Sequence, residues 1–302
     1  MIVYRELSSL ERDLGISAKM LYAVSNNLNK HYRKAKLPKK NGGFRKLSIP
    51  DEMLKAIQKR ILEVLLIHMP VSRYAKAYRF GSSTLRNAKH HVGKQVVLKL
   101  DILHFFDSIR YSTVKDIVFP EEIYADSLRI LLTMLCYHKD ALPQGAPSSP
   151  AITNIIMYAF DEQIGQWCQE RGINYTRYCD DMTFSGDFDS TEVILFVGQE
   201  LKKMGFLLNN QKTRIQRPNH QQTVTGIVVN EKLSIPADYR RKLRQELYYC
   251  RKFGVSDHLK KLGLDMSEDI YRMQLLGKVN YVLQAHPSDQ SMAKAKKWLQ
   301  AK

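Results

Sequence analysis

The sequence predicts an α+β fold, and three observations lead there. Long stretches repeat apolar residues at helical intervals: over 51–68, Leu54, Ile57, Ile61, Leu62, Leu65 and Leu66 form one face. A few short runs read instead as strands, among them Val96-Val97-Leu98-Lys99-Leu100, which ends in Asp101, and Val224 through Val229. Between two further β-leaning runs (Ile173, Tyr175, Thr176 before; Met182, Thr183, Phe184 after) lies Tyr178-Cys179-Asp180-Asp181. That pattern predicts a hairpin with two carboxylates at its tip. In mid-strand, adjacent Asp residues would face opposite sides of a sheet, whereas at a turn both can converge on one point. Taken alone, an acidic β-turn is the plainer reading, because Asp is a common turn residue.

The other elements follow in order. Residues 1–28 have helical spacing, with a break near Gly15. Residues 29–46 carry eight Lys/Arg and no acid, and Asn41-Gly42-Gly43 is a strong turn signal, so this stretch reads as a basic hairpin. A solvated charge run is the alternative for such a stretch on its own. Residues 112–138 read as mostly helical. Leu142 through Pro150 is too rich in Pro and Gly for regular structure, and it opens a helix expected from Ala151 to Arg171. A helix over 191–204 ends at Gly205; Phe206-Leu207-Leu208 then leads to Lys212, and Val224–Val229 reads as a single strand. From about Pro236 the chain becomes helical and basic, with Tyr239, Leu243 and Leu247 opposite the Arg- and Lys-rich face.

Composition narrows the partners. The chain has 302 residues, a net charge of +17 and a pI near 9.6, which points to a polyanion. Hydrophobic residues make up 44%, so this is a globular protein and not a basic tail. No apolar run is long enough for a bilayer, so no membrane partner is expected, and the N-terminus lacks the layout of a secretion signal. Cys136, Cys168, Cys179 and Cys250 lie far apart with no Cys-x-x-Cys, which argues against zinc and for a reducing cytoplasm.

Asp101 and the Asp180-Asp181 pair are about 80 residues apart, yet both follow strand patterns and could meet on neighbouring strands. Clustered carboxylates stay ionised together only if cations neutralise them, and hard oxygen ligands favour Mg²⁺. Three such acids suit two metals about 4 Å apart, the arrangement that serves nucleotidyl transfer. A triphosphate substrate then needs a cationic grip, which the basic hairpin with Lys40 and Arg45 can supply.

Here a family resemblance enters. Tyr178-Cys179-Asp180-Asp181 resembles the Tyr-x-Asp-Asp box of reverse transcriptases, and Asp101 with Phe105-Phe106 resembles their first palm motif. Leu142-Pro143-Gln144-Gly145 through Pro150 resembles their nucleotide-pocket loop, Gly205 through Lys212 the next motif, and Arg45-Lys46-Leu47 the triphosphate-binding fingers. Asn87-Ala88-Lys89-His90-His91 and Val224-Thr225-Gly226 are similar to the Asn-Ala-x-x-His and Val-Thr-Gly motifs of retron reverse transcriptases, and each stands at the expected place. Cys179 departs from the usual Ala and is expected to alter packing or oxidation sensitivity, not the reaction.

The resemblance implies a right-hand polymerase: fingers 1–93 with 113–142, palm 94–112 and 143–233 on an antiparallel sheet, and a helical thumb 234–302. It implies that Asp101, Asp180 and Asp181 are catalytic and hold two Mg²⁺, with Mn²⁺ as a substitute. Lys40 and Arg45 would contact the triphosphate, Gln144 would line the pocket, and Lys212 would assist at the pyrophosphate. Phe106 would exclude a ribose 2′-OH, with Phe105 the alternative. Asn87, His91, Val224, Thr225 and Gly226 would recognise RNA. His104 stands where some relatives have a second acid, and no metal role is assigned to it. No ribonuclease H domain is expected. The implied function is RNA-directed DNA synthesis from dNTPs on a cognate noncoding RNA, primed from an RNA 2′-OH to give a branched RNA–DNA product, in a bacterial anti-phage system with an effector protein. Alternatives are another bacterial defence- or CRISPR-associated reverse transcriptase, or a scaffold of the same fold for nucleic acid and an effector.

Overall fold

The computed structural model describes residues 3–38 and 42–301. The chain divides into two compact units, one made of Met1–Gly81, Leu98–Thr183 and Phe188–Arg214, the other of Ser82–Val97, Phe184–Asp187 and Ile215–Lys302.

The first unit begins with helices Leu7–Leu14 and Ala18–Ser25. The break falls where the sequence places it, with Gly15 in the left-handed region at φ 67°. Strands β1 (Tyr32–Pro38) and β2 (Phe44–Pro50) pair antiparallel and form the basic hairpin. Its register sets Lys36 opposite Lys46, a like-charge pair that costs energy unless an anion lies across it. Helix Glu52–Val64 follows, with Asp51 as its N-cap; the Asp51 carboxylate accepts from Leu54 N–H at 2.9 Å. The helical stretch expected over 112–138 is interrupted at 119–125, which includes Pro120, before helix Asp126–Cys136 resumes it.

A four-stranded sheet has the order β4-β5-β3-β6, formed by β3 (Val96–Asp101), β4 (Asn174–Tyr178), β5 (Asp181–Gly186) and β6 (Arg214–Gln216). The adjacency of β3 and β5 brings the strand-ending Asp101 to the hairpin pair. Strand β6 carries too little apolar pattern to have been expected. The helix anticipated from Ala151 begins at Ser149, because Pro150 fits in a first turn, where its missing N–H costs nothing. Met157, at φ −83° and ψ 2°, then separates helix Ser149–Ile156 from helix Tyr158–Glu170.

In the second unit the expected strand 224–229 is not continuous. Strands β7 (Thr223–Val224) and β8 (Ile227–Val228) pair antiparallel around a two-residue turn, Thr225-Gly226. Both turn residues have positive φ, 47° and 81°, and the glycine serves that conformation. Helix Thr84–Lys89 packs on this hairpin. Helices Ala237–Phe253, Val255–Leu262, Glu268–Ala285 and Gln290–Gln300 complete the unit around Leu243, Leu247, Leu275, Val279 and Met292. Arg241, Lys242, Arg244, Arg251, Lys252, Lys260 and Lys261 point to solvent. Among the described residues no helix is long and apolar enough to cross a membrane.

Candidate active site

Asp101 is buried at the end of β3, while Asp180 and Asp181 are half-buried. Two backbone bonds lock the register: Ile102 N–H donates to Asp180 O at 3.1 Å, and Asn209 N–H donates to Asp101 O at 2.8 Å. The hairpin turn is tight because Cys179 adopts a left-handed conformation at φ 62°. Its thiol is buried, which pushes its pKa up to about 11, and lies 3.5 Å from the Tyr78 hydroxyl. The cysteine is therefore a packed turn residue held in the thiol form.

The three acids act on one another. Burial, then the charges of Asp180 and Asp101, push the Asp181 carboxyl up to about 6, aided by a hydrogen bond with Asp101 and opposed by Lys99. Lys212 answers this negative field. Its ammonium donates to Asp101 Oδ2 at 2.7 Å, and Asn209 Nδ2 donates to Oδ1 at 3.0 Å. Burial works against the Lys212 charge, but the Asp101 hydrogen bond and the charges of all three acids raise its pKa. Among the described residues no three acid, histidine or cysteine side chains already form a metal cage. The donor set still suits a hard divalent cation: carboxylate oxygens in excess of positive charge, one of them already occupied by an ammonium. An ion bound at Asp101 would lie beside the Lys212 ammonium on Oδ2. The lysine expected at the pyrophosphate lies against Asp101, within the acid cluster.

The pocket residues fall around this cluster unequally. Phe105 is core, 3% exposed, with its ring centroid 5.5 Å from that of Phe206, whereas Phe106 keeps an accessible face. Phe106 O accepts from Leu142 N–H at 3.2 Å, so the loop carrying Gln144 starts beside it. Gln144 O accepts from Ser48 N–H of β2 at 3.0 Å. At Gly145, φ 129°, a Cβ would sit 2.9 Å from Ser48 O, so only glycine lets the loop lie against the base of the basic hairpin. Arg45 is exposed on β2; Lys40 lies outside the described residues. His104 is a left-handed, exposed residue 3.9 Å from Asp107.

The two short motifs form one assembly. Asn87 and His91 are fully buried, as is Val224. Asn87 Nδ2 points at Thr225 Oγ1 at 3.5 Å, and Thr225 Oγ1 donates to Thr84 O at 3.1 Å. His91 Nδ1 is 2.7 Å from Ser185 Oγ. Asn87 and His91, expected from the sequence to recognise RNA, are therefore covered by the protein in this conformation. The exposed part of the assembly is Gly226 with the half-buried Thr225.

Sequence reasoning missed Asn209, and also Arg177 with its partners Asp161 and Asn154. The available signal was a charge at a core position: Arg177 interrupts a buried strand, and Asp161 falls beside Phe160 and Ile164 on a helix.

The sequence profile described as "Reverse transcriptase (RNA-dependent DNA polymerase)" matches residues 37–230. The chain belongs to that family. It is 32% identical over 245 residues to the retron Ec83 reverse transcriptase of Escherichia coli, covering 75% of this chain and 78% of the relative. It is 31% identical over 265 residues to the retron Ec86 reverse transcriptase of Escherichia coli (85% and 82%). Identity to the retron Mx65 reverse transcriptase of Myxococcus xanthus is 34% over 273 residues, 82% of this chain but 63% of the relative's length. Within the family, then, the chain is a retron-type reverse transcriptase. The same fold occurs in telomerase from Candida tropicalis, solved in complex with a TWJ fragment of telomeric RNA: TM-score 0.52, 12% identity, 93% of this chain and 58% of that one.

Two outcomes test the site. Because the folded-state pKa of Asp181 is raised, its share of stability is intact below the ordinary value of 3.8 and is lost as the pH rises through about 6. Metal-free Asp181→Asn should therefore melt roughly two to four degrees above metal-free wild type at pH 7. The gap should narrow as the pH is lowered toward 5; thermal unfolding in chelator at both pH values measures it. Second, Phe106→Ala should raise the efficiency of ribonucleotide relative to deoxyribonucleotide addition by roughly tenfold or more. An unchanged ratio, with a changed one for Phe105→Ala, would move the gate to Phe105.

Proposed function

We propose that the chain synthesises DNA on an RNA template as the polymerase of a retron. It copies part of a cognate structured noncoding RNA into single-stranded DNA, starts from a 2′-hydroxyl within that RNA, and yields a branched RNA–DNA hybrid. The observation that carries this reading is the convergence of Asp101, at the end of β3, with Asp180 and Asp181 at the neighbouring β4–β5 turn, where Ile102 N–H donates to Asp180 O at 3.1 Å.

Two Mg²⁺, or Mn²⁺ in their place, held by Asp101, Asp180 and Asp181 would lower the pKa of the attacking hydroxyl and neutralise charge on the leaving pyrophosphate. Lys212, once it yields Asp101, keeps its charge for the pyrophosphate. The dNTP triphosphate is gripped by Lys40 and Arg45, the former on sequence grounds alone, and Gln144 lines the base and sugar. Phe106, accessible where Phe105 is not, excludes the 2′-OH. In functional terms 1–93 with 113–142 act as fingers, 94–112 and 143–233 as palm, and 234–302 as thumb. The thumb's exposed Arg and Lys supply salt-sensitive affinity for the RNA–DNA backbone. Asn87, His91 and Val224 serve RNA recognition from inside, by fixing the Thr225-Gly226 turn as a surface that the RNA meets. The product acts in the cytoplasm, in anti-phage defence, together with an effector protein.

The Asp180→Ala/Asp181→Ala double variant should lose DNA synthesis by about three orders of magnitude or more, the rate equivalent of several kcal/mol of charge stabilisation. It should retain RNA binding, which a filter or shift assay on the same preparation reads; extension at near wild-type rate sinks the polymerase assignment. The retron reading has its own test. Asn87→Ala, His91→Ala and Gly226→Ala should impair priming on the native RNA more than extension of a generic annealed primer. Equal losses in the two assays mean these residues support only the fold.

A further inference from the structure

Arg177 is among the largest fully buried side chains of the protein. It stands in β4, two residues before the left-handed Cys179. Its guanidinium grips the Asp161 carboxylate side-on, Nε to Oδ1 at 2.8 Å and Nη2 to Oδ2 at 2.6 Å, with both residues at 0% side-chain exposure. The pair is joined by Tyr175, whose hydroxyl donates to Asp161 Oδ1 at 2.8 Å. Nη2 also donates to Asn154 Oδ1 at 3.3 Å, and Asn154 Nδ2 donates to Ala77 O at 3.0 Å. The remaining arm, Nη1, donates to the backbone carbonyl of Cys179 at 2.9 Å. One planar cation therefore ties the catalytic turn to helix Tyr158–Glu170 and to helix Ser149–Ile156, which continues from the Gln144 loop.

We propose that Arg177 is a positioning residue: it holds the Cys179 carbonyl so that the turn keeps its left-handed form and aims Asp180 and Asp181. This rests on the polymerase reading of those acids. A turn with a non-glycine residue at positive φ relaxes unless its surroundings fix it. The flanking β4 and β5 fix its ends, and Arg177 fixes its carbonyl. The geometry needs a fork of donors. A lysine at 177 keeps the charge opposite Asp161, but a single ammonium cannot also span to Cys179 O and Asn154.

The test compares Arg177→Lys with Tyr175→Phe in the full chain. Tyr175→Phe removes a donor from Asp161 without touching the turn, so it reports the cost of loosening the network alone. Each protein is followed by thermal unfolding, by affinity for an annealed RNA template–DNA primer, by Mn²⁺ binding in calorimetry, and by single-turnover dNTP addition. Arg177→Lys should bind primer–template within about twofold of wild type and take up Mn²⁺ several-fold more weakly. It should add nucleotide roughly 10²-fold more slowly, the loss that an ångström of misplacement produces. Tyr175→Phe, with a comparable loss of melting temperature, should keep rate and Mn²⁺ affinity.

Wild-type rate and Mn²⁺ affinity in Arg177→Lys overturn the proposal. So do losses in both variants that track melting temperature alone. If Arg177→Lys does not fold, Asp161→Asn carries the test, since it leaves the guanidinium without the charge that orients it; unchanged rate and Mn²⁺ affinity there overturn the proposal equally. A wild-type protein that extends no primer overturns the polymerase reading, and this proposal with it.

Discussion

An arginine taken wholly out of water is the constraint around which the larger unit is built. Burying an ion pair costs several kcal/mol per ion, and the attraction repays it only when every remaining donor and acceptor is satisfied. At Arg177 each guanidinium nitrogen has a partner: Nε and Nη2 reach Asp161, Nη2 also reaches Asn154, and Nη1 reaches the Cys179 carbonyl, with Tyr175 donating to Asp161 as well. Such a pair is a poor source of net stability compared with a hydrophobic core, but removing one partner is expensive, about 3–5 kcal/mol. It penalises any arrangement that separates its members. The backbone around it is equally fixed: Arg177 N–H donates to Tyr74 O at 2.9 Å, and Lys76 N–H donates to Arg177 O at 2.7 Å. The segment that ends in Tyr78 is thereby laid along β4, and the Tyr78 hydroxyl reaches Cys179.

The cluster this framework holds is electrostatically unfavourable in itself. Three carboxylates share one end of the sheet, and the acid with a raised pKa, Asp181, is the one that burial and its two neighbours press toward neutrality. Lys212 relieves part of the field by sitting on Asp101. The basic hairpin shows the same imbalance with opposite sign, Lys36 facing Lys46 across the ladder. One site lacks cations and the other lacks anions. In the function proposed above, a metal-bound nucleoside triphosphate would supply both.

Much of this was legible in the sequence, and the exceptions have physical causes. The Asp180-Asp181 hairpin, the end of β3 at Asp101 and the break at Gly15 are local: turn chemistry and periodicity over a few residues specify them. The interruption of the 224–229 strand was hidden because Val224, Ile227 and Val229 keep a strand's composition on either side, and a Thr-Gly turn is a weaker signal than Asn-Gly. Arg177 and Asp161 went unread because a charge inside an apolar pattern looks like noise until its partner is known, and that partner is 16 residues away on another element. Lys212 was singled out for a pyrophosphate, and its contact with Asp101 depends on a charge balance that no spacing rule expresses.

The two retron motifs illustrate the same separation between signature and contact. Asn-Ala-x-x-His and Val-Thr-Gly are far apart in the chain, Asn87 and Thr225 being 138 positions from one another, yet they meet in one hydrogen-bonded assembly. Residues that must be buried against specific partners tolerate fewer substitutes than residues that face a solvated ligand, because an unpaired polar group in the interior costs about 1–3 kcal/mol. A short, rigid signature can therefore come from the support of a surface as readily as from the surface. Here the side chains that define the motifs, Asn87, His91 and Val224, are inside. What reaches solvent is the Thr225-Gly226 turn, whose positive φ angles make it stiff and small enough for another backbone to approach closely. In the function proposed above, specificity for a structured RNA would reside in the shape and placement of that turn, while the exposed basic helices of 236–262 would contribute affinity without selecting a sequence.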